Sequence, residues 1–157
     1  MSTCPYKGIL FDWVGVLVLP EGEPERNDPR SVAACFRAYE PLWSLLPRLQ
    51  ESFAMCVVNN GAAATVPYFE ERFCCSRFMP FMNSEIEGVT KPDPEIYLRA
   101  CRLIGVRPSE VIYLDDAVPE LPADTAALGM TYVYWPDPHR GFQAFKRLLN
   151  DSGIAVS

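Results

Sequence analysis

Short apolar runs alternate along this chain with stretches of helical periodicity. Four runs, at 6–11, 53–58, 111–114 and 131–135, are rich in β-branched and aromatic residues. Each reads as a strand buried on both faces. Residues 78–82 give a further short strand candidate, weakened by Pro80, which has no N–H to offer a ladder. Between the runs the spacing turns helical. Leu42, Leu45, Leu46 and Leu49 form an i, i+3, i+4, i+7 stripe, and Pro47 must kink or split it. Residues 62–73 give a second helix. A third has clear ends: Asp93 as N-cap, Pro94 at the first helical position, Gly105 just past the last. Residues 117–128 and 142–149 complete the set. Strand and helix in alternation predict an α/β fold: a parallel sheet with helices on both faces, built as one domain over 1–157. The stretch 19–29, LPEGEPERNDP, is acidic and proline-rich and reads as an exposed loop.

The polar residues that break these runs carry the chemical information. Ligands of a parallel sheet bind beyond the carboxyl ends of its strands. Here the first strand runs into Asp12, the second into Asn59-Asn60-Gly61 and the third into Asp115-Asp116. Taken singly, each is equally a turn former or a helix cap. Taken together they place carboxylates on one rim, where they repel unless a cation lies among them. Magnesium suits such a rim, because it takes hard oxygen ligands from one or two carboxylates plus a substrate phosphate. Lys91 precedes Pro92, which biases it away from the helix that follows. It is either a surface lysine or the cation that balances the aspartates and a phosphate. Gly61 and the alanines 62–64 open a helix with small residues, leaving backbone N–H groups to face an anion.

Composition narrows the function classes. The 157 residues are 49% hydrophobic with net charge −6, and only three are lysines. No basic stripe marks a nucleic-acid surface. No apolar run approaches the ~20 residues that cross a bilayer, and no basic region precedes an apolar stretch as in a secretory signal. The six cysteines lack zinc-type pairs and read as free thiols of a reducing compartment, which points to the cytoplasm. His139, the single histidine, lies outside these motifs and reads as a surface or helix-start residue.

In their order, four segments resemble the motifs of the haloacid dehalogenase-like (HAD) hydrolase superfamily. They are Asp12-Trp13-Val14-Gly15-Val16 after the first strand, Asn59-Asn60 after the second, "KPDPEIY" from Lys91, and "VIYLDDAVPELPADTAALGM". The resemblance covers about residues 6–135 and implies a three-layer, Rossmann-like sheet. It implies that Asp12 is a nucleophile forming an aspartyl-phosphate. It further implies Mg2+ held by Asp12, the backbone carbonyl of Val14 and Asp116, with Asp115 close by. Lys91 would steady the nucleophile and the phosphoryl group, and Asn59 would be a catalytic residue that donates to phosphate; Asn60 and Gly61, at the opening of the following helix, are further phosphate-binding candidates. The partner implied is a small phosphorylated substrate or a phosphoprotein.

Two positions depart from the family. Its phosphatases carry, two residues after the nucleophile, an acid that protonates the leaving group; Val14 cannot. General acid–base help is worth about 10²–10⁴-fold in rate. Asn59 stands where the family has Ser or Thr, and still offers a hydrogen-bond donor. Asp-Trp-x-Gly is also similar to phosphonoacetaldehyde hydrolases, but 18–55 holds no lysine for their Schiff base. The paired acids argue against a metal-free 2-haloacid dehalogenase. Residues 18–40 form at most a short cap or loop insertion. The expectation is therefore a magnesium-dependent phosphohydrolase weakened at position 14. The alternative is a catalytically degenerate member kept as a binding or interaction protein.

Overall fold

The computed structural model describes residues 3–157. In chain order its elements are β1 (Gly8–Phe11), β2 (Val18–Pro20), α1 (Pro29–Ala33), β3 (Phe36–Ala38), α2 (Glu40–Trp43), α3 (Leu46–Ser52) and β4 (Ala54–Asn59). There follow α4 (Val66–Phe73), β5 (Phe81–Asn83), α5 (Ser84–Glu87), α6 (Pro94–Ile104), β6 (Val111–Asp115), α7 (Ala123–Ala126), β7 (Thr131–Tyr134) and α8 (Pro138–Asp151). Five strands form one sheet in the order β5-β4-β1-β6-β7, and every pairing in it is parallel. The chain builds outward from β1 on one side, then crosses β1 to start the other side at β6. The reversal of strand order therefore falls between β1 and β6, where open α/β sheets form their ligand crevice.

The strands alternate between two cores. Ile9, Phe11, Met55, Val57, Ile112 and Leu114 face one, together with Leu42, Leu46, Leu49 and Phe145 from the helices. Leu10, Cys56, Val58, Val111 and Tyr113 face the other, against Ile96, Tyr97 and Ala100 of α6. This period of two, buried on both sides, is what the continuous apolar runs signalled. Burying each large aliphatic or aromatic side chain contributes about 1.5–3 kcal/mol, so both faces are needed to hold a sheet of such short strands.

The expected α/β architecture is present, with differences in detail. Pro47 does split the leucine stripe: it opens α3, and α2 ends at Trp43. The helix expected over 62–73 begins as a 3₁₀ turn, Ala63–Thr65, before α4. The strand expected at 78–82 starts only at Phe81, after Pro80, whose carbonyl accepts from Val57 N–H at 3.0 Å. The helix expected over 117–128 shrinks to α7, four residues long. Pro119 and Pro122 interrupt it, and the Val118 carbonyl accepts from the Tyr132 hydroxyl at 2.6 Å instead of from a helical amide.

Within 18–40 the chain forms an antiparallel pair, β2 with β3, carrying the short helix α1 between them. Residues 21–27 of this segment are exposed, as the acidic stretch suggested. The cysteines are free thiols, of which Cys56, Cys75 and Cys101 are buried. No helix of the described residues is long and apolar enough to cross a membrane.

Candidate active site

Asp12 leaves the end of β1 beside the end of β6, its backbone N–H bonded to Leu114 O at 2.8 Å. A tight loop follows. Leu17 and Val18 N–H both donate to Trp13 O at 3.0 Å, and Gly15 N–H donates to Val18 O at 2.8 Å. Gly15 sits at φ +92°, and a Cβ there would lie 2.0 Å from Asp116 Oδ2. Only glycine lets the loop approach this closely. Trp13 anchors the loop from below. It is fully buried among Trp43, Phe69, Phe73 and Phe81, with ring centroids 5.0–6.2 Å away. Its role is packing, and Asp12 Oδ1 accepts from its backbone N–H at 2.8 Å.

Lys91 reaches the same point from the loop before α6. Its ammonium donates to Asp12 Oδ1 at 2.8 Å and to Asp115 Oδ2 at 2.9 Å, with all three side chains close to buried. Asn60 fixes the backbone beneath it: Oδ1 accepts from Lys91 N–H at 2.9 Å and Nδ2 donates to Lys91 O at 3.0 Å. Asp115 has further partners. Oδ1 accepts from Ala117 N–H at 2.8 Å, and Oδ2 accepts from the Tyr113 hydroxyl. Asp116 is exposed. Carboxylate oxygens of Asp12, Asp115 and Asp116 all lie within 4.8 Å of one another.

The charges are in tension. Burial pushes the Asp12 carboxyl up to about 8, against the pull of Lys91, and the Asp115 charge adds to the rise. Burial works against ionised Asp115 too, but Lys91, the Tyr113 hydroxyl and the Ala117 amide together hold it below the usual carboxylate range. Lys91 is held above its ordinary value: burial opposes its charge, and Asp12 and Asp115 outweigh that. One lysine thus serves two buried carboxylates while a third stands beside them. A divalent cation would supply the missing positive charge, and the donor set, hard oxygens only, fits magnesium.

Four of the sequence candidates, Asp12, Lys91, Asp115 and Asp116, therefore meet. They line one wall of a pocket of about 280 Å³ with Asn60; its other walls include Tyr97, Tyr113, Leu121 and Tyr132. Asn59 and Gly61 are engaged elsewhere. Asn59 is buried and accepts from Asn83 Nδ2 at 3.0 Å, and Gly61 N–H donates to Ser84 Oγ at 3.2 Å. Ala63 N–H donates to Glu85 Oε2 at 3.0 Å. Val14 is half-buried and bridges to Val18. His139 is exposed in the first turn of α8, away from this pocket.

Residues 76–127 match the family model of the haloacid dehalogenase-like hydrolases. The predicted HAD-like family hydrolase of Porphyromonas gingivalis is 20% identical with a TM-score of 0.68, over 92% of this chain and 98% of that one. The chain has the haloacid dehalogenase-like fold. A HAD family enzyme of Bacteroides thetaiotaomicron, crystallised with magnesium and inorganic phosphate, shares that fold at 16% identity and TM-score 0.66, over 82% of this chain and 93% of its own. Among curated proteins, the glyceraldehyde 3-phosphate phosphatase of Methanopyrus kandleri is 32% identical over 104 residues, 57% of this chain and 44% of the relative. The chain thus spans less than half the length of that phosphatase.

Two site residues escaped sequence reading. Tyr113 lies two residues before Asp115 on β6, so both side chains point to one face of the strand. Tyr97 is the aromatic of the "KPDPEIY" segment, and its hydroxyl donates to that of Tyr113 at 3.2 Å. The period of two was a usable signal for Tyr113. Nothing in the sequence gave the contact with Tyr97.

Proposed function

We propose that this chain is a magnesium-dependent phosphohydrolase that acts through an aspartyl-phosphate on Asp12 and is restricted to esters whose leaving group departs without protonation. The observation that carries the reading is the meeting of Asp12, Lys91 and Asp116 at the strand-order reversal of the sheet. The phosphatase relative and the magnesium- and phosphate-bound neighbour support it.

Asp12 and Asp116, with the backbone carbonyl of Val14, would hold the ion. When bound, it supplies positive charge to a phosphoryl oxygen and relieves the repulsion among the carboxylates. Asp12 attacks phosphorus; as its oxygen forms the new bond, the ester P–O bond breaks and the leaving oxygen takes the electron pair. Lys91 sits at Asp12 and faces the charge on the transferring group, where charge stabilisation does most of the catalysis. Water then cleaves the acyl phosphate, freeing inorganic phosphate and restoring Asp12. Val14 has no proton to give, so alkoxide leaving groups are disfavoured and phenolates, which leave as stable anions, are accepted.

Residues 18–40 act as a minimal cap. Such a cap leaves the pocket open to a small phosphorylated substrate or a phosphorylated side chain on a protein. A second reading, a binding module that has lost turnover, is favoured by the same Val14. A panel of aryl and alkyl phosphates, assayed with and without magnesium and followed by mass spectrometry of the Asp12 peptide, separates the two. Aryl phosphate turnover with a phosphorylated Asp12 peptide supports the hydrolase; ligand-induced stabilisation with neither supports the binding module.

A further inference from the structure

The carboxylate of Asp115 is almost fully buried, 2% exposed, and carries donors on both oxygens: Lys91 and Tyr113 at Oδ2, the Ala117 amide at Oδ1. Behind Tyr113 stands the Tyr97 hydroxyl at 3.2 Å, and both rings are 1% exposed. A line of side chains therefore runs from the core beneath α6 to the nucleophile: Tyr97, Tyr113, Asp115, Lys91, Asp12. A buried phenol with no polar duty is more readily built as phenylalanine, since a buried hydroxyl must find a partner. Here two are kept, and each hands its proton toward Asp115.

We propose that Tyr113, backed by Tyr97, is a positioning residue for Lys91. A carboxylate accepts along several directions, and Asp115 could turn about its side-chain bonds. The Tyr113 hydroxyl and the Ala117 amide, arriving at different oxygens, remove that freedom. The second oxygen then faces one way, and the Lys91 ammonium is drawn to the point from which it also reaches Asp12. Asn60 fixes the lysine backbone at the other end. The hydroxyl of Tyr97 bonds to Tyr113 and that of Tyr113 to Asp115, not to Asp12, so each acts on the nucleophile through Asp115. The assignment makes Asp115 an anchor for the lysine. It leaves the exposed Asp116 as the acid with free lone pairs.

The catalytic part of this inference rests on the hydrolase reading; the positioning itself does not. The test uses Tyr113→Phe and Tyr97→Phe, which delete only a hydroxyl. Without magnesium or substrate, amines are labelled with a trace of acetic anhydride. Acetylation of Lys91 is then read by mass spectrometry against Lys7 and Lys146 in the same molecule. Tyr113→Phe is expected to raise the relative labelling of Lys91 several-fold, and Tyr97→Phe in the same direction by less. With an aryl phosphate and magnesium, Tyr113→Phe is expected to lower kcat by about tenfold, the worth of one hydrogen bond to a charged group, with KM little changed. Unchanged Lys91 labelling in folded Tyr113→Phe would overturn the proposal. If that variant does not fold, unchanged labelling in Tyr97→Phe overturns it equally. A wild-type protein that hydrolyses no ester defeats the hydrolase reading, and the labelling still decides this one.

Discussion

Lys91 and Asp12, 79 residues apart in the chain, meet at 2.8 Å at the carboxyl end of the sheet. The contact joins the loop before α6 to the end of β1 and sets the one buried ammonium of the pocket against its candidate nucleophile. Replacing Lys91 by methionine keeps the stem and removes the charge, leaving Asp12 and Asp115 facing each other. We expect the magnesium-free protein to lose about 3 kcal/mol at neutral pH, as when one partner of a buried pair is deleted, measured by urea unfolding. Turnover of an aryl phosphate should fall by about 10²-fold or more, the usual worth of a donor placed on developing charge.

On the proposed function, position 14 sets the substrate range. Val14→Asp is expected to raise the rate on alkyl phosphates by about 10²-fold, the lower range for an added general acid, and to change aryl phosphates much less. The check is the ratio of kcat/KM for the two ester types in wild type and variant. An unchanged ratio would remove the explanation of the restricted range.

Gly15 links the loop to Asp116, one of the acids proposed to hold magnesium. Gly15→Ala places a methyl group where Asp116 Oδ2 now lies and adds backbone strain at φ +92°. A cost of about 1–2 kcal/mol is expected from the backbone alone. The displaced Asp116 should also weaken magnesium binding. Thermal melts with increasing magnesium test this: the wild type should gain stability with the ion and the variant should gain less.

Far from the pocket, Glu110 offers a pH test of the fold. Its carboxylate accepts from Arg107 at 2.9 Å and from Lys7 at 2.8 Å. Arg107, then Lys7 and the Arg107 backbone amide, bring it down from 4.5 to about 2. The folded state therefore releases this proton more readily than the unfolded chain. The stabilisation is complete above about 4.5 and disappears as pH falls through about 2. Glu110→Gln should flatten the decline in stability across that interval, measured by denaturant midpoints at each pH.

Much of this arrangement was legible in the chain because parallel sheets gather strand ends on one rim. Asp12, Asp115 and Asp116 could be placed together from topology alone, whereas the place of Lys91 before a capped helix left it open between surface and site, and only the family resemblance gave it a site role. What escaped were contacts that depend on how elements pack. The Tyr97–Tyr113 pair needs the register of α6 against β6. The engagement of Asn59 with Asn83 needs β5 beside β4. The β2–β3 pair went unread because its strands have three residues each, and Pro20 and an acidic stretch disguise the first. The overlong helix at 117–128 failed for a related reason: Tyr132, distant in sequence, captures the Val118 carbonyl that a helix would have used.

The central claim is that Asp12 is the nucleophile, and its most direct measurement is the release of nitrophenol from p-nitrophenyl phosphate by wild type and Asp12→Asn, each with magnesium and with a chelator. We predict turnover by the wild type that vanishes on chelation, and none by a folded Asp12→Asn under any condition. Turnover by Asp12→Asn at the wild-type rate, in protein free of contaminating phosphatase, would contradict the account.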